Sequence, residues 1–388
     1  MLTSYTLKMP HVVYSGENAL NHIEEILGAD VKKIAIFSDK GIIDAGLLEL
    51  PLSKIKESKK EFVIFSDLVA EPTYAQVQVV IDAFKQSGAD FIVAVGGGSV
   101  MDTAKLASVL ATDEYGVKEL LDHPGMAVKC VKTLMIPTTA GTGAEATPNA
   151  IVAVPEKELK VGIVNDNMIA DYVILDAEMI KKLPRKIAAA TGVDALCHAI
   201  ECFTSNKKNP FSDIFAMQAF EMIMDNIEAA CDHPEALKEK NNMLLASFYA
   251  GVAITASGTT AVHALSYPLG GKYHIPHGVS NAILLTPVMK FNEPVCRELF
   301  AEAYDRLAPE AGQTEIEKTV EEKSAWIVNR MQEIVTHLNI PKSLKEFGIG
   351  DEDLEILVEA GMGVQRLLTN NMRTVTADDA RKLYLEIM

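Results

Sequence analysis

The sequence predicts an α/β domain followed by an all-helical one, and three observations carry that expectation. Short, mostly apolar runs alternate with helix-like stretches up to about residue 180, a pattern suited to parallel strands buried on both faces. Beyond Leu183-Pro184 the strand-like runs nearly cease and helical periodicity takes over. At 388 residues the chain is also long for a single core, so two domains are the default.

Taken in order, Lys33-Ile-Ala-Ile-Phe37, Glu61-Phe-Val-Ile-Phe65, Phe91-Ile-Val-Ala-Val95 and Thr133-Leu-Met-Ile-Pro137 read as strands. Helical patterns at 74–86 and 101–110 lie between them. This is βαβ logic, and it predicts a doubly wound, Rossmann-like sheet. Residues 150–154 and 159–164 read as a further hairpin, and 172–175 as the strand closing the sheet. The second domain draws its helices from 193–204, 211–231, 237–256, 319–338 and 351–358. A last amphipathic helix follows the cap-type residue Thr376. The expected domains are therefore 1–180 and 181–388.

Composition narrows the partners. The content is ordinary for a globular protein, 48% hydrophobic and 23% charged, but the formal net charge is −17. That charge argues against nucleic acid and anionic membrane surfaces. Five cysteines, Cys130, Cys197, Cys202, Cys231 and Cys296, are scattered without a CxxC pair, which reads as reduced thiols in a cytoplasmic protein. No signal-peptide pattern opens the chain, and no apolar run approaches the roughly 20 residues that span a bilayer.

Two loops rich in small residues each follow a strand. The first, Val95-Gly-Gly-Gly-Ser-Val-Met-Asp-Thr-Ala-Lys105, also opens a helix. Its glycines would let backbone approach a pyrophosphate at the helix N-terminus; a plain tight turn is the alternative. The spacing is not GxGxxG. The second loop, Pro137-Thr-Thr-Ala-Gly-Thr-Gly-Ala-Glu145, offers the hydroxyls of Thr138, Thr139 and Thr142 to phosphate or ribose, or is simple turn chemistry. Asp39 ends the first strand. An acid there can accept from a ribose 2′-hydroxyl and repel a 2′-phosphate, which favours NAD over NADP, or it serves only as a turn residue.

Four metal-ligand-type residues follow. Asp194 and His198 are four apart in the apolar run Gly192-Val-Asp-Ala-Leu-Cys-His-Ala-Ile-Glu201, which stacks them on one helix face. His263 and His277 flank Tyr267-Pro-Leu-Gly-Gly-Lys-Tyr-His-Ile-Pro276, a stretch able to bring them back together. One carboxylate and three imidazoles suit a first-row divalent cation with positions left for substrate. His274 is a reserve ligand or an outer partner of the site. His11, His22, His123, His233 and His337 read as packed or surface residues.

Together these segments, with His263-Ala-Leu-Ser-Tyr-Pro-Leu-Gly-Gly271 and Pro276-His-Gly278, resemble the iron-containing (group III) alcohol dehydrogenase family over nearly the whole chain. The resemblance implies an N-terminal dinucleotide-binding domain, a C-terminal helical metal-binding domain and an active site between them. It implies a divalent metal on Asp194, His198, His263 and His277. It implies cofactor contacts from Asp39, Gly97, Gly98, Ser99, Asp102, Thr138, Thr139, Thr142 and Lys160. Ser99 after the glycines looks like the alcohol dehydrogenases, where the related glycerol dehydrogenases usually carry lysine.

There are departures from the family pattern. The family commonly has a histidine, linked to proton release, where this chain has Tyr267; Tyr267 or His274 would take that role. Glu71 stands where many members carry Asn, and Asn371-Met-Arg373 replaces Asn-Pro-Arg. Met362 and Leu367 fall at the loop the resemblance places beside the substrate.

The function expected is NAD-dependent oxidation of small primary alcohols, or reduction of their aldehydes. The metal expected is Fe2+, with Zn2+, Ni2+ or Mn2+ able to occupy the same donors. Dimers or larger homo-oligomers are usual in the family. The rival readings are a glycerol-dehydrogenase-like polyol oxidoreductase and a metal-dependent hydrolase.

Overall fold

The computed structural model describes residues 4–157, 159–307 and 318–388. Eight strands precede residue 176: β1 (Val12–Ser15), β2 (Lys33–Phe37), β3 (Glu61–Phe65), β4 (Phe91–Gly96), β5 (Lys132–Pro137), β6 (Asn149–Val154), β7 (Leu159–Val164) and β8 (Tyr172–Leu175). Six form one sheet in the order β1-β8-β5-β4-β2-β3, with every pairing parallel. β6 and β7 form a separate antiparallel ribbon.

Side-chain alternation loads both faces of the sheet. Ala35, Phe37, Ile92 and Ala94 enter one apolar core, while Ile34, Ile36, Phe91, Val93 and Val95 enter a second on the opposite face. Burial on both sides is why these strands read as unbroken apolar runs. One expectation needs correcting. The strand at 172–175 lies inside the sheet, paired on both sides, and β1 forms the edge beyond it. β1 is short, its burial is partial and Val12 is exposed, so no apolar run announced it.

The helices that bear on the site are α1 (Tyr74–Ser87), α2 (Gly98–Val109), α3 (Arg185–Phe203), α4 (Pro210–Asp232), α5 (Leu237–Ala256), α6 (Ala261–Tyr273) and α7 (His277–Leu307); α8 (Val320–His337), α9 (Leu354–Gly363) and α10 (Ala377–Ile387) follow, with a single turn at Gln365–Leu368 before α10. Local chemistry sets several ends. Thr73 accepts from Gln76 N–H at 3.2 Å in a capping box, and Gly88 ends α1 at φ 66. Asn209 caps α4 ahead of Pro210, and Thr376 caps α10 as expected.

Helices α6 and α7 were not legible in the sequence. Pro268 lies inside α6, and Pro287 and Pro294 lie inside α7. A proline in a helix interior costs about 3 kcal/mol in isolation. Here burial of most of α6, and of α7 all round from Ser280 to Met289, outweighs that local cost. All five cysteines are free. Among the described residues no single helix is long and apolar enough to cross a membrane; α5 and α6 together pass such a test only as a pair bent by 104°.

Candidate active site

The sheet order reverses direction between β2 and β4, because β3 lies on one side of β2 and β4 on the other. Ligands of open α/β sheets bind outside the strands' carboxyl ends at such a switch point. The loops that leave β2 and β4 carry Asp39 and Gly97-Gly98-Ser99, and they line one hollow together with Gly41 and Leu68. A Cβ on Gly96 would overlap the side chain of Val100, so glycine is required for the turn into α2. Asp39 caps the helix Lys40–Asp44 by accepting from Ile42 N–H at 3.0 Å. It is a turn residue and also faces the hollow.

The second loop folds against the first. Thr138 N–H donates to Gly96 O at 3.0 Å. Thr139 lies beside Gly97, and a Cβ on Gly98 would come 3.1 Å from Thr142. The Thr138 hydroxyl is buried without a partner among the described residues. Asp102, one turn into α2, pairs with Lys105 Nζ at 3.0 Å and accepts from Ile151 N–H at 3.0 Å. It ties α2 to the β6–β7 ribbon. Lys160, on β7, pairs with Glu71 at 2.6 Å.

The four metal-type residues converge. Asp194 and His198 lie one turn apart on α3, His263 on the first turn of α6 and His277 at the start of α7. Their ligand atoms all lie within 4.8 Å of one another. Asp194 Oδ1 is 3.9 Å from His198 Nε2 and 3.6 Å from Nε2 of both His263 and His277. The start of α7 reaches α3 because residue 278 is glycine; a Cβ there would overlap the Ala190 carbonyl.

Two of the three histidines have their other ring nitrogen engaged. His198 Nδ1 donates to Gly141 O at 3.3 Å, and His263 Nδ1 bonds Glu201 Oε2. Glu201, 0% exposed on α3, also accepts from Thr260 N–H at 3.0 Å, Thr260 hydroxyl at 2.7 Å and Val262 N–H at 2.8 Å. Metal-binding histidines typically have an outer carboxylate or carbonyl of this kind, which fixes the tautomer and aims the free nitrogen.

Electrostatics follow from burial and this pairing. Burial would raise the Asp194 carboxyl, but His198, His277 and His263 outweigh it and hold the group below the ordinary carboxylate range. Burial would lower His263, yet the Glu201 and Asp194 carboxylates raise it to about 9. Burial, with His263 and Lys160 adding to it against Asp194, takes His277 down to about 4.

Tyr267 stands one turn beyond His263, its ring 6.2 Å from that of His277. Burial raises its hydroxyl pKa, and neighbouring Arg366 opposes the shift. His274 does not join the cluster. It is exposed and ends α6 in a left-handed conformation, φ 56. Leu367 is buried in the core and Met362 packs against it; neither lines the cleft, whose apolar wall includes Ile151, Val152 and Ile254.

The sequence reading missed Glu201 and Asn281. Glu201 is seven residues after Asp194 and so on the same helix face, a signal that was present. Asn281 Nδ2 lies 2.6 Å from Asp194 Oδ1 and 3.1 and 3.2 Å from His263 and His277 Nε2. Its spacing of four from His277 on α7 was hidden with the helix itself.

A second hollow, about 960 Å³ of empty space partly open to solvent, joins Gly98, Ser99, Thr142 and Lys160 to His198, His263, Tyr267 and His277. It meets the first hollow at Gly98 and Ser99. The N-terminus of α2 therefore stands between the hollow at Asp39 and the one that holds the Asp/His cluster.

Comparison with known proteins agrees with this geometry. Residues 10–177 match the family described as "Iron-containing alcohol dehydrogenase", and residues 188–388 match "Fe-containing alcohol dehydrogenase family, C-terminal". The long-chain-alcohol dehydrogenase 1 of Geobacillus thermodenitrificans (strain NG80-2) is 31% identical over 379 residues, covering 97% of this chain and 94% of that protein. Alcohol dehydrogenase 4 of Saccharomyces cerevisiae (strain ATCC 204508 / S288c) is 34% identical over 367 residues, 93% of each. The crystal structure of a 1,3-propanediol oxidoreductase superposes with a TM-score of 0.91 at 26% identity over 100% of both chains. The chain belongs to the iron-containing alcohol dehydrogenase family, whose members are oxidoreductases acting on CH–OH donors.

Proposed function

We propose that the protein is an NAD-dependent, Fe2+-dependent alcohol dehydrogenase that interconverts small primary alcohols and their aldehydes. One observation carries this reading: two adjoining hollows share Gly98 and Ser99 at the N-terminus of α2, one holding Asp39 and the other reaching the cluster of Asp194, His198, His263 and His277; together they form the cofactor slot of this reading. The helix terminus suits a pyrophosphate. One buried carboxylate and three imidazoles, with ligand atoms all within 4.8 Å of one another, fit a first-row divalent cation. Zn2+, Ni2+ or Mn2+ would fit the same donors. Residues 1–180 would hold the dinucleotide and 181–388 the metal, as a cytoplasmic homo-oligomer.

Held by Asp194, His198, His263 and His277, a cation would supply Lewis acidity toward the alcohol oxygen, and a dinucleotide beside the α2 N-terminus would supply the hydride acceptor. The chain's own residues do the rest. Asp39 would accept from a ribose hydroxyl. Glu201 and the Gly141 carbonyl hold His263 and His198 with Nε2 facing inward. Ile151, Val152 and Ile254 displace water beside the reacting carbon. The Tyr267 hydroxyl, at the cluster's edge with Arg366 beside it, would pass the alcohol proton outward in place of a histidine.

The test is NADH absorbance with ethanol to butanol, propanediol and glycerol, with NAD or NADP, metal-free and with anaerobic Fe(II), alongside thermal melts. Fe(II)-dependent NADH formation from a primary alcohol is expected, with Fe(II) and NAD each raising the melting temperature. Turnover without NAD, or no stabilisation by either, would refute the reading. Glycerol as the preferred substrate would move the activity to polyols.

A further inference from the structure

We propose that Glu71 and Lys160 form an ion-pair latch across the cofactor slot, and that Lys160 exchanges Glu71 for the anionic dinucleotide when the cofactor binds. The inference rests on the reading of the slot as an NAD site.

Glu71 is out of character with its surroundings. It lies between β3 and α1 in a left-handed conformation, φ 53, which a residue with a long side chain adopts only when neighbouring structure holds it there. Its N–H donates to Ser99 Oγ at 3.0 Å, so its backbone is fastened to the first turn of α2. That helix N-terminus favours anions, so a carboxylate carried by Glu71 competes there with a phosphate. Glu71 Oε1 lies 2.6 Å from Lys160 Nζ, with the side chains 37% and 13% exposed, and both residues line the slot.

Lys160 is the lysine that lines the hollow of the Asp/His cluster. Its Nζ lies over Gly270 of α6, 3.0 Å from where a Cβ would stand, and its charge is felt at His277. The ribbon that carries it is independently pinned to the Glu71 loop. Ala153 N–H donates to Pro72 O at 2.9 Å, and Tyr74 hydroxyl donates to Glu156 at 2.7 Å. These contacts hold the two walls together without the ion pair, so the pair is free to change partners while the walls stay in place.

The consequence is competition. An incoming pyrophosphate must draw Lys160 from Glu71 and then sit beside an unpaired carboxylate. Glu71 thus weakens cofactor binding and speeds release, and the effect fades as salt screens both charges.

The experiment is NADH fluorescence titration of wild type, Glu71→Gln, Lys160→Met and the double variant, at low and high ionic strength, with thermal melts to verify folding. We expect E71Q to tighten NADH binding about fivefold or more at low salt, a coupling of ordinary allosteric size. In the K160M background the same change should gain clearly less, because only the repulsion between carboxylate and phosphate is then removed, the signature of non-additivity between partners. K160M alone should weaken binding. No gain from E71Q, or an equal gain with and without Lys160, overturns the latch while leaving the NAD reading intact. Wild type that binds neither NAD nor NADH refutes the cofactor reading and the latch with it.

Discussion

Glu201 illustrates how much of the site a single residue controls. Its carboxylate bonds His263 Nδ1 and receives three hydrogen bonds from Thr260 and Val262, so it orients α6 as well as the imidazole. Burial would raise its pKa, but His263 foremost holds it below the usual value, and it stays ionised. Glu201→Gln keeps the size and removes the charge. It is expected to lower divalent-metal affinity about 10- to 100-fold, as measured by competition with a chromophoric chelator, while helix content is unchanged. Wild-type metal affinity in the variant would limit Glu201 to packing. The Asp194/His198 pair was legible because helical spacing alone aligns it. The partners of Glu201 come from another helix 59 or more residues away, which no local pattern encodes.

At the scale of elements, the second small-residue loop is fitted to α5 by glycines. Gly143 has φ 59, and a Cβ there would lie 2.8 Å from both Gly251 Cα and Ser247 O; a Cβ on Gly251 would in turn meet Gly143 O at 2.6 Å. The contact is backbone to backbone, and neither side has a flexible group to yield. Gly143→Ala is therefore expected to cost more than about 2 kcal/mol, combining a left-handed penalty with a forced separation. Thermal melts should show a lowered midpoint, and NADH binding should weaken because Thr142 moves with the loop. An unchanged midpoint would mean the loop has slack that this packing denies. The glycines were legible as a loop, but their role in docking it onto α5 was not. Likewise α6 and α7 were obscured by Pro268, Pro287 and Pro294, because local propensity speaks against a helix that burial then enforces.

Across the whole molecule, stability carries a pH dependence that originates at Glu145. This carboxyl is 3% exposed, and burial raises it to about 7, only partly offset by its own N–H and by Lys105. The unfolded chain releases that proton near pH 4.5, whereas the folded protein keeps it until about 7. Between those values Glu145 keeps its proton only in the folded state, so this group's contribution to stability falls as pH rises through the window, by about 3 kcal/mol. Glu145→Gln is expected to raise the urea midpoint at pH 8 and to leave it nearly unchanged at pH 4.5. An equal effect at both values would assign the change to packing instead of charge.

The sequence by itself determined the order of layers, the two small-residue loops after strands, the Asp194/His198 pair and the membership of the family. Each is a short-range pattern: apolar runs, glycines after strands, helical spacing. Only the tertiary structure decided which groups meet. It brought His263 and His277 to Asp194 through two proline-containing helices, left His274 outside, set β8 within the sheet and placed Glu71 against Lys160. Those outcomes depend on which surfaces bury against each other, and burial is a property of the whole chain.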